Sequence, residues 1–102
     1  MSVEMTHYGL NPTEALCSVV NERHRQDAKW GEQNHPPEWW LAILMEEVGE
    51  LATTALKLHF CGGEVSYNHR RTQDMRAEAV QVAAVAVALV ECLDRHAENP
   101  HA

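Results

Sequence analysis

The feature that most constrains the fold is the run AVQVAAVAVALV at positions 79–90, in which only Gln81 is polar. A surface helix of a globular protein has one apolar stripe, whereas this run is apolar around most of its circumference. A chain of 102 residues supports a single core, and two further helices cannot cover the whole run. We therefore expect a second copy of the chain to bury the remainder. The alternative is that an N-terminal arm of residues 1–10 covers it.

Start and stop signals divide the rest of the chain into helices. Residues 11–14, Asn-Pro-Thr-Glu, combine a cap, a proline at the first helical position and a glutamate that can reach back to the cap. They predict a first helix that runs from Pro12 to about Ala28. A second helix is predicted from Pro37 or Glu38 to the glycine pair at 62–63. A third is predicted to start at a cap in residues 72–74, with an acid in its first turn, and to run to about position 96.

These elements predict an all-α fold, an antiparallel helical bundle of about three main helices that is completed by dimerisation. Residues 1–10 are expected to form a flexible arm and residues 11–102 a single helical domain. No segment alternates polar and apolar residues over the length of a useful strand.

Charge and cysteine content narrow the function classes. Asp plus Glu number 15 against 8 Lys plus Arg, giving a net charge of −7, which argues against a nucleic acid polymer as partner. The longest purely apolar stretch, residues 82–90, is too short to cross a bilayer, so we expect no membrane contact and a cytoplasmic location. The three cysteines lack metal or disulfide spacing, so we expect reduced thiols, with Cys17 and Cys92 in the core.

A concentration of glutamates interrupts the apolar pattern of the second helix. At about 100° per residue, Glu46, Glu47 and Glu50 point to one side, and on the third helix Glu78 and Gln81 share a stripe. Carboxylates brought together raise one another's pKa unless a hard cation neutralises them. An oxygen-only ligand set favours Mg²⁺ or Mn²⁺ over zinc. The alternatives are a solvated helix face and, for Glu78, the usual preference for acids near a helix start.

These residues resemble a known family. Glu46-Glu47-Val48-Gly49-Glu50 resembles the EExxE half of the EExxE…ExxD signature of the MazG-like all-α nucleoside triphosphate pyrophosphatases, a superfamily that includes the all-α dUTPases. Residues 78–81 are similar to the second half, with Gln81 in place of the aspartate. Residues 29–33, KWGEQ, resemble the tryptophan-containing loop before the metal-binding helix. The likeness covers about residues 22–96.

The resemblance implies Mg²⁺-dependent hydrolysis of a nucleoside triphosphate between the α and β phosphates, which yields a monophosphate and pyrophosphate. It suggests a housekeeping role in removing unwanted nucleotides. By this analogy the metal ligands are Glu47, Glu50 and Glu78, with Gln81 at the position of the fourth. Glu46 or another of these carboxylates would accept a proton from the attacking water. The implied substrate contacts are Lys29, Trp30 and Lys57.

Two other functions stay open at this stage. Gln81 carries one negative charge less than aspartate and should weaken metal binding, so one alternative is a helical dimer that binds nucleotide or another protein without turnover. Asp74, one turn before Glu78, could partly compensate for the lost charge. A further alternative is a structural helical module with incidental acids. The base, the sugar, the number of metal ions and the choice between homodimer and tetramer are all left open.

Overall fold

Three α-helices make up the fold. The computed structural model describes residues 12–60 and 69–99, which form α1 (Pro12–Trp30), α2 (Pro37–Phe60) and α3 (His69–Glu98). These residues contain no strand, so the predicted all-α class is confirmed. None of the helices in this part of the chain combines the length and the apolar character needed to span a bilayer. The expected arm at 1–10 and the glycine pair at 62–63 lie outside the described residues.

The first helix begins at the predicted proline and ends at a glycine. α1 starts at Pro12 and continues two residues past Ala28 to Trp30. Gly31 follows with φ at 72°, and its N–H donates to the carbonyl oxygen of Asp27 at 2.8 Å. A left-handed residue directly after a helix is a common way to end one, and glycine adopts that conformation without steric cost.

The predicted start of the third helix was wrong. α3 begins at His69, so the expected cap at Thr72 lies inside the helix. Nη1 of Arg71 donates to the carbonyl oxygen of Lys57 at 2.9 Å, in the last turn of α2. Carbonyls of a last turn have no partner within their own helix, so this bond satisfies one of them. The contact also holds the first turn of α3 against α2, which favours a helical conformation for the residues that precede Thr72.

α3 is the central helix and packs against both α1 and α2. It is antiparallel to α2, because Arg71 lies at the end of α2 while Cys92 packs against Trp40 near its beginning. α1 runs in the same direction as α3: Ser18 lies beside Arg76, and further along both helices Arg23 reaches Glu91. Successive helices therefore run in opposite directions, as in an antiparallel three-helix bundle, in which the first and third helices are parallel.

The core is small and lies between α2 and α3. Trp40, Val85, Ala88 and Cys92 form a buried cluster, against which three half-buried apolar side chains pack, Ile43, Leu44 and Leu89. Of the adjacent tryptophans, Trp40 is 3% exposed and Trp39 is 59% exposed, so only one faces inward. The expectation that Cys17 is buried was wrong. Cys17 lies five positions before the buried Glu22, which places it about 140° around α1 from the side that meets α3.

A second apolar surface on α2 is not covered by the described helices. We call it the outer stripe, and it consists of Leu41, Met45, Val48, Ala52 and Leu56. Leu41, Met45 and Leu56 are each more than half exposed. The stripe lies roughly 100° around α2 from the side that faces α3. α3 leaves apolar side chains exposed as well, at Val87, Val90 and Leu93.

Candidate metal centre

Three glutamates from two helices meet at the seam between α2 and α3. Glu47 and Glu50 are three positions apart on α2 and therefore about 60° apart around its axis. Glu78 comes from the antiparallel α3. One carboxylate oxygen from each of the three lies within 4.8 Å of the others. The structure thus brings together three of the four residues predicted to hold a metal ion, and we call them the acid cluster.

The acid cluster is partly removed from water. Glu47 and Glu78 are half-buried, and one buried oxygen of each, Oε2, has no hydrogen-bond partner among the described residues. Burial raises the pKa of Glu47 above its ordinary value. The negative charges of Glu50, Glu78 and Glu46 raise this pKa further, as does a hydrogen bond with Glu50. The ionised form of Glu47 is therefore disfavoured where it stands.

The donor set fits a hard divalent cation. All three groups offer carboxylate oxygens, the ligands that Mg²⁺ and Mn²⁺ prefer. A cation bound among them would satisfy the two unpartnered buried oxygens and reverse the mutual repulsion that raises the pKa of Glu47. Acids on a solvated helix face would show neither unpartnered buried oxygens nor a raised pKa, because water would hydrate their carboxylates.

Two other acids that the sequence singled out stand apart from this group. Glu46 is exposed and acts on its neighbour Glu47 through charge, yet it is not one of the three residues whose oxygens converge. Asp74 is also exposed and outside the acid cluster. The suggestion that Asp74 compensates for the missing acid at position 81 therefore finds no support in the arrangement of the described residues.

Gln81 follows Glu78 by one turn and is half-buried. It lines a cavity of about 490 Å³ between α1 and α3. We call this space the α1–α3 cavity, and its lining residues are Ser18, Asn21, Glu22, Arg25, Arg76, Ala77, Val80 and Gln81. The fourth predicted ligand thus lines this cavity, one turn along α3 from Glu78.

The predicted substrate contacts lie at two helix ends. Trp30, at the end of α1, is 56% exposed, and the ammonium of Lys29 lies 4.7 Å from the centre of its ring, a cation–π contact. Lys57 has an exposed side chain in the last turn of α2. The roles of all three in substrate binding remain predictions.

The polar residues of the α1–α3 cavity were missed at the level of sequence. Glu22 is only 7% exposed, and its Oε1 accepts a hydrogen bond from Nη2 of Arg25. On the opposite wall, Nη2 of Arg76 donates to Oγ of Ser18 at 2.9 Å. The spacing of Glu22 and Arg25 is typical of an ion pair on a solvated helix face. Nothing in the sequence indicates that this face of α1 turns towards α3.

A second polar cavity, of about 200 Å³, lies near the other end of α3. Its wall includes Arg23, Glu91 and Arg95. Nε of Arg23 donates to Glu91 at 2.7 Å, while Nε and Nη2 of Arg95 donate to Asn34 and to the carbonyl oxygen of Gln33 at 3.1 and 3.0 Å. These bonds fix the 31–36 loop to α3, so the cavity is best explained as part of the scaffold.

Comparison with known proteins supplies no relative. No protein-family model matches the sequence, and neither a curated protein nor a solved structure matches it. The resemblance carried by residues 46–50 and 78–81 therefore stays a prediction, and the functional assignment depends on the geometry of the site.

Proposed function

We propose that the protein is a Mg²⁺-dependent nucleoside triphosphate pyrophosphohydrolase of the MazG-like all-α type. It would cleave between the α and β phosphates and release a monophosphate and pyrophosphate. The observation that carries the proposal is the acid cluster, in which three carboxylate oxygens lie within 4.8 Å and two buried oxygens lack a partner. Mn²⁺ is the alternative ion, since it prefers the same oxygen ligands.

Each acidic residue has a role in the proposal. Glu47, Glu50 and Glu78 would hold the cation, and the side-chain carbonyl of Gln81 would be the fourth oxygen donor. A bound divalent cation would neutralise phosphate oxygens and make a coordinated water more acidic. Glu46 accepts the proton from the attacking water, because its carboxylate is exposed, adjacent to the cluster and outside the converging oxygens.

Charge explains why a cation is needed for this substrate. A protein with a net charge of −7 repels a triphosphate unless positive charge is supplied locally. In the proposal Lys57 adds a point charge for the phosphates, while Trp30 and Lys29, at the opposite end of the bundle, contact the base. Nucleoside triphosphates are intracellular metabolites, so the proposal includes a cytoplasmic location.

The test is pyrophosphate release from a panel of ribo- and deoxyribonucleoside triphosphates, with Mg²⁺ and with chelator. We expect release with metal only, and roughly a thousandfold loss in Glu50→Gln, since a cation of this kind supplies several kcal/mol of transition-state stabilisation. Glu14→Gln removes an equal charge from the exposed first turn of α1 and should behave as the parent. Release that persists in chelator or in Glu50→Gln would rule out the proposed site.

A second candidate function is favoured by Gln81. A neutral amide in place of a carboxylate weakens cation binding, so the protein could be a nucleotide- or protein-binding helical dimer without turnover. In that case no substrate releases pyrophosphate, although Mg²⁺ still raises the melting temperature. Gln81→Asp should then tighten Mg²⁺ binding. If the acids were incidental, Mg²⁺ would not change the melting temperature of either protein.

We further propose that a second copy of the chain covers the outer stripe. Gly49 lies beside the stripe, and no described atom comes within 4 Å of the position a Cβ would occupy there. Glycine inside a helix costs about 1 kcal/mol relative to alanine. No described neighbour requires the small residue, whereas a closely packed helix from a second copy would.

The outer stripe is self-complementary in an antiparallel pair of α2 helices. With Val48 opposite Gly49 of the second copy, Met45 meets Ala52 and Leu41 meets Leu56, so large side chains face small ones at the centre. The first turn of α2 carries Glu38 and the last turn carries basic residues. An antiparallel pair places these opposite charges side by side, while a parallel pair would place like charges together. Such an interface is isologous, as expected for a twofold dimer.

The molar mass in solution tests this assembly. We expect a dimer by light scattering on a sizing column, and a monomer for Met45→Lys, because the new charge would lie at the centre of the interface. Met45 is 62% exposed, so the substitution should leave the protomer folded. Ala28→Lys, at an exposed position of α1, is the control and should remain dimeric. A monomeric parent protein at about 100 μM would exclude an interface of standard strength.

A further inference from the structure

The α1–α3 cavity holds charged groups that the acid cluster does not explain. Arg25 from α1 and Arg76 from α3 both line it, although the two residues are far apart in the sequence. The cavity volume of about 490 Å³ lies within the usual range for a small-ligand site. We propose that this cavity binds the terminal phosphates of the substrate, the part that leaves as pyrophosphate. The identity of this anion as part of the substrate rests on the proposed function, whereas the binding of an anion in the cavity does not.

The balance of charge inside the cavity favours an anion. The carboxylate of Glu22 is paired with Arg25, so these two residues neutralise each other. The guanidinium of Arg76 donates to the neutral hydroxyl of Ser18. Among the ion pairs of the described residues Arg76 does not occur, so its charge is not matched by an acid. The cavity therefore has a net positive charge in a protein whose total charge is −7.

The donors in the cavity suit phosphate chemistry. A guanidinium presents a planar set of N–H donors that matches two phosphate oxygens at once, and bonds of this kind are stronger than those between neutral groups. Asn21 and Gln81 add side-chain amides to the wall. Arg25 can turn towards a ligand because its side chain is 74% exposed, while the buried Glu22 stays in place.

The position of the cavity matches the proposed reaction. Gln81 and Ala77 line it and lie within about one turn of Glu78 on α3, so only about 5 Å of helix rise separates the cavity, on the α1 side of α3, from the acid cluster on the α2 side. In the reaction the water oxygen bonds to the α phosphorus while the bond from that phosphorus to the bridging oxygen breaks. The pyrophosphate leaves with the electron pair of that bond. Guanidinium donors beside it would stabilise the developing charge.

Binding of inorganic pyrophosphate, measured by calorimetry in the presence of chelator, tests the cavity without metal or turnover. We expect Arg76→Gln to weaken binding about tenfold, the effect of losing one charge-assisted contact, while Arg76→Lys retains most of the affinity. Glu22→Gln should tighten binding, because it removes the competing negative charge and releases Arg25. Glu14→Gln, on the same helix but outside the cavity, controls for net charge and should bind as the parent does.

The opposite signs for Arg76→Gln and Glu22→Gln make the test decisive. Equal affinity in Arg76→Gln and the parent, or weaker binding in Glu22→Gln, would overturn the inference. Pyrophosphate should also inhibit triphosphate hydrolysis competitively, and non-competitive inhibition would refute a site for the substrate's own phosphates. Turnover that is indifferent to Arg76→Gln overturns the cavity assignment but leaves the proposed function intact. Arginine-dependent binding without turnover of any triphosphate supports the cavity and overturns the proposed function.

Discussion

The two ends of α3 carry glutamates in opposite surroundings. Near its beginning, Glu78 joins Glu47 and Glu50, so three like charges converge. Near its end, Glu91 lies 2.6 Å from the guanidinium of Arg23, an oppositely charged group. Both glutamates are half-buried, and both face a neighbouring helix. The same residue type therefore contributes attraction at one end of the helix and repulsion at the other.

The pKa shifts make this difference explicit. Burial lowers the pKa of Arg23, but its hydrogen bonds and charge attraction with Glu91 and Asp27 outweigh that effect and leave the pKa raised. For a base, a raised pKa means that the charged form is favoured. Burial and neighbouring negative charges also raise the pKa of Glu47. For an acid, the raised pKa means that the charged form is disfavoured.

This contrast separates a scaffold from a candidate site. The Arg23 end stabilises the docking of α1 and of the 31–36 loop onto α3. Repulsion within the acid cluster lowers the stability of the metal-free protein, and the packing of α2 against α3 holds these groups together in spite of it. Groups that oppose folding in this way are often found at functional sites.

The largest expected effect comes from a matched pair of substitutions on α3. Glu78→Gln should reduce metal-dependent pyrophosphate release roughly a thousandfold, since it removes one ligand of the proposed cation. Glu91→Gln should retain release and lower the melting temperature instead, because Arg23 loses a charged partner. Steady-state assays and thermal unfolding of both variants measure the two effects. Equal activity loss in both would remove the distinction between the two ends.

The next effect is stabilisation by the metal itself. At a Mg²⁺ concentration 100 times the dissociation constant, the free energy of unfolding should rise by about 2.7 kcal/mol. For a domain of this size that corresponds to an increase in melting temperature on the order of 10 °C. The increase should vanish in Glu47→Gln and persist in Glu91→Gln. A melting temperature that is unchanged by Mg²⁺ in the parent would exclude a folded cation site.

A somewhat smaller effect is expected at the paired end. The side chain of Arg23 is 12% exposed and bonds Glu91, Gln26 and Asp27. Arg23→Ala should lower the free energy of unfolding by about 2 kcal/mol, because one charged hydrogen bond contributes about that much when its partners remain partly hydrated. Chemical denaturation measures the loss. Asp27→Asn is the milder control, because this half-exposed partner can be hydrated instead.

The smallest effect is the pH dependence contributed by Glu47. The folded state holds the Glu47 proton more tightly than the unfolded state does. The contribution of Glu47 to stability therefore falls as the pH rises from 4.5, the ordinary pKa of the group, through the raised pKa in the folded state. Above that pKa the contribution is constant. The difference in unfolding free energy between the metal-free parent and Glu47→Gln, measured from about pH 4 to about pH 7, isolates this contribution. Glu47→Gln should become the more stable of the two towards neutral pH. A constant difference would mean that the cluster does not act on Glu47.

The sequence predicts the local features of this molecule well. The start of α1 at Pro12 and the grouping of Glu47 and Glu50 on one side of α2 follow from spacing within a single helix. The approach of Glu78 also follows, because a short connection between two helices makes them antiparallel neighbours. All of these depend on residues that are close together in the chain or on helices that follow one another in the sequence.

Features that depend on long-range packing could not be predicted. The early start of α3 depends on the contact of Arg71 with Lys57, which no cap pattern indicates. The burial of Glu22 depends on which face of α1 turns inward. That face is mostly polar, so hydrophobic periodicity gives no signal for it. The α1–α3 cavity, with Arg76 in its wall, was missed for the same reason.

The central position of α3 also has a consequence for the order of folding. The bonds from α1 and the 31–36 loop to α3 join residues 57 to 68 positions apart, whereas α2 and α3 are adjacent helices connected by residues 61–68. Contacts that close short loops cost less entropy and tend to form earlier. We therefore expect the α2–α3 hairpin to assemble before α1 docks. Since the acid cluster belongs entirely to that hairpin, a cation could bind to a chain that is still incompletely folded and speed the remaining steps.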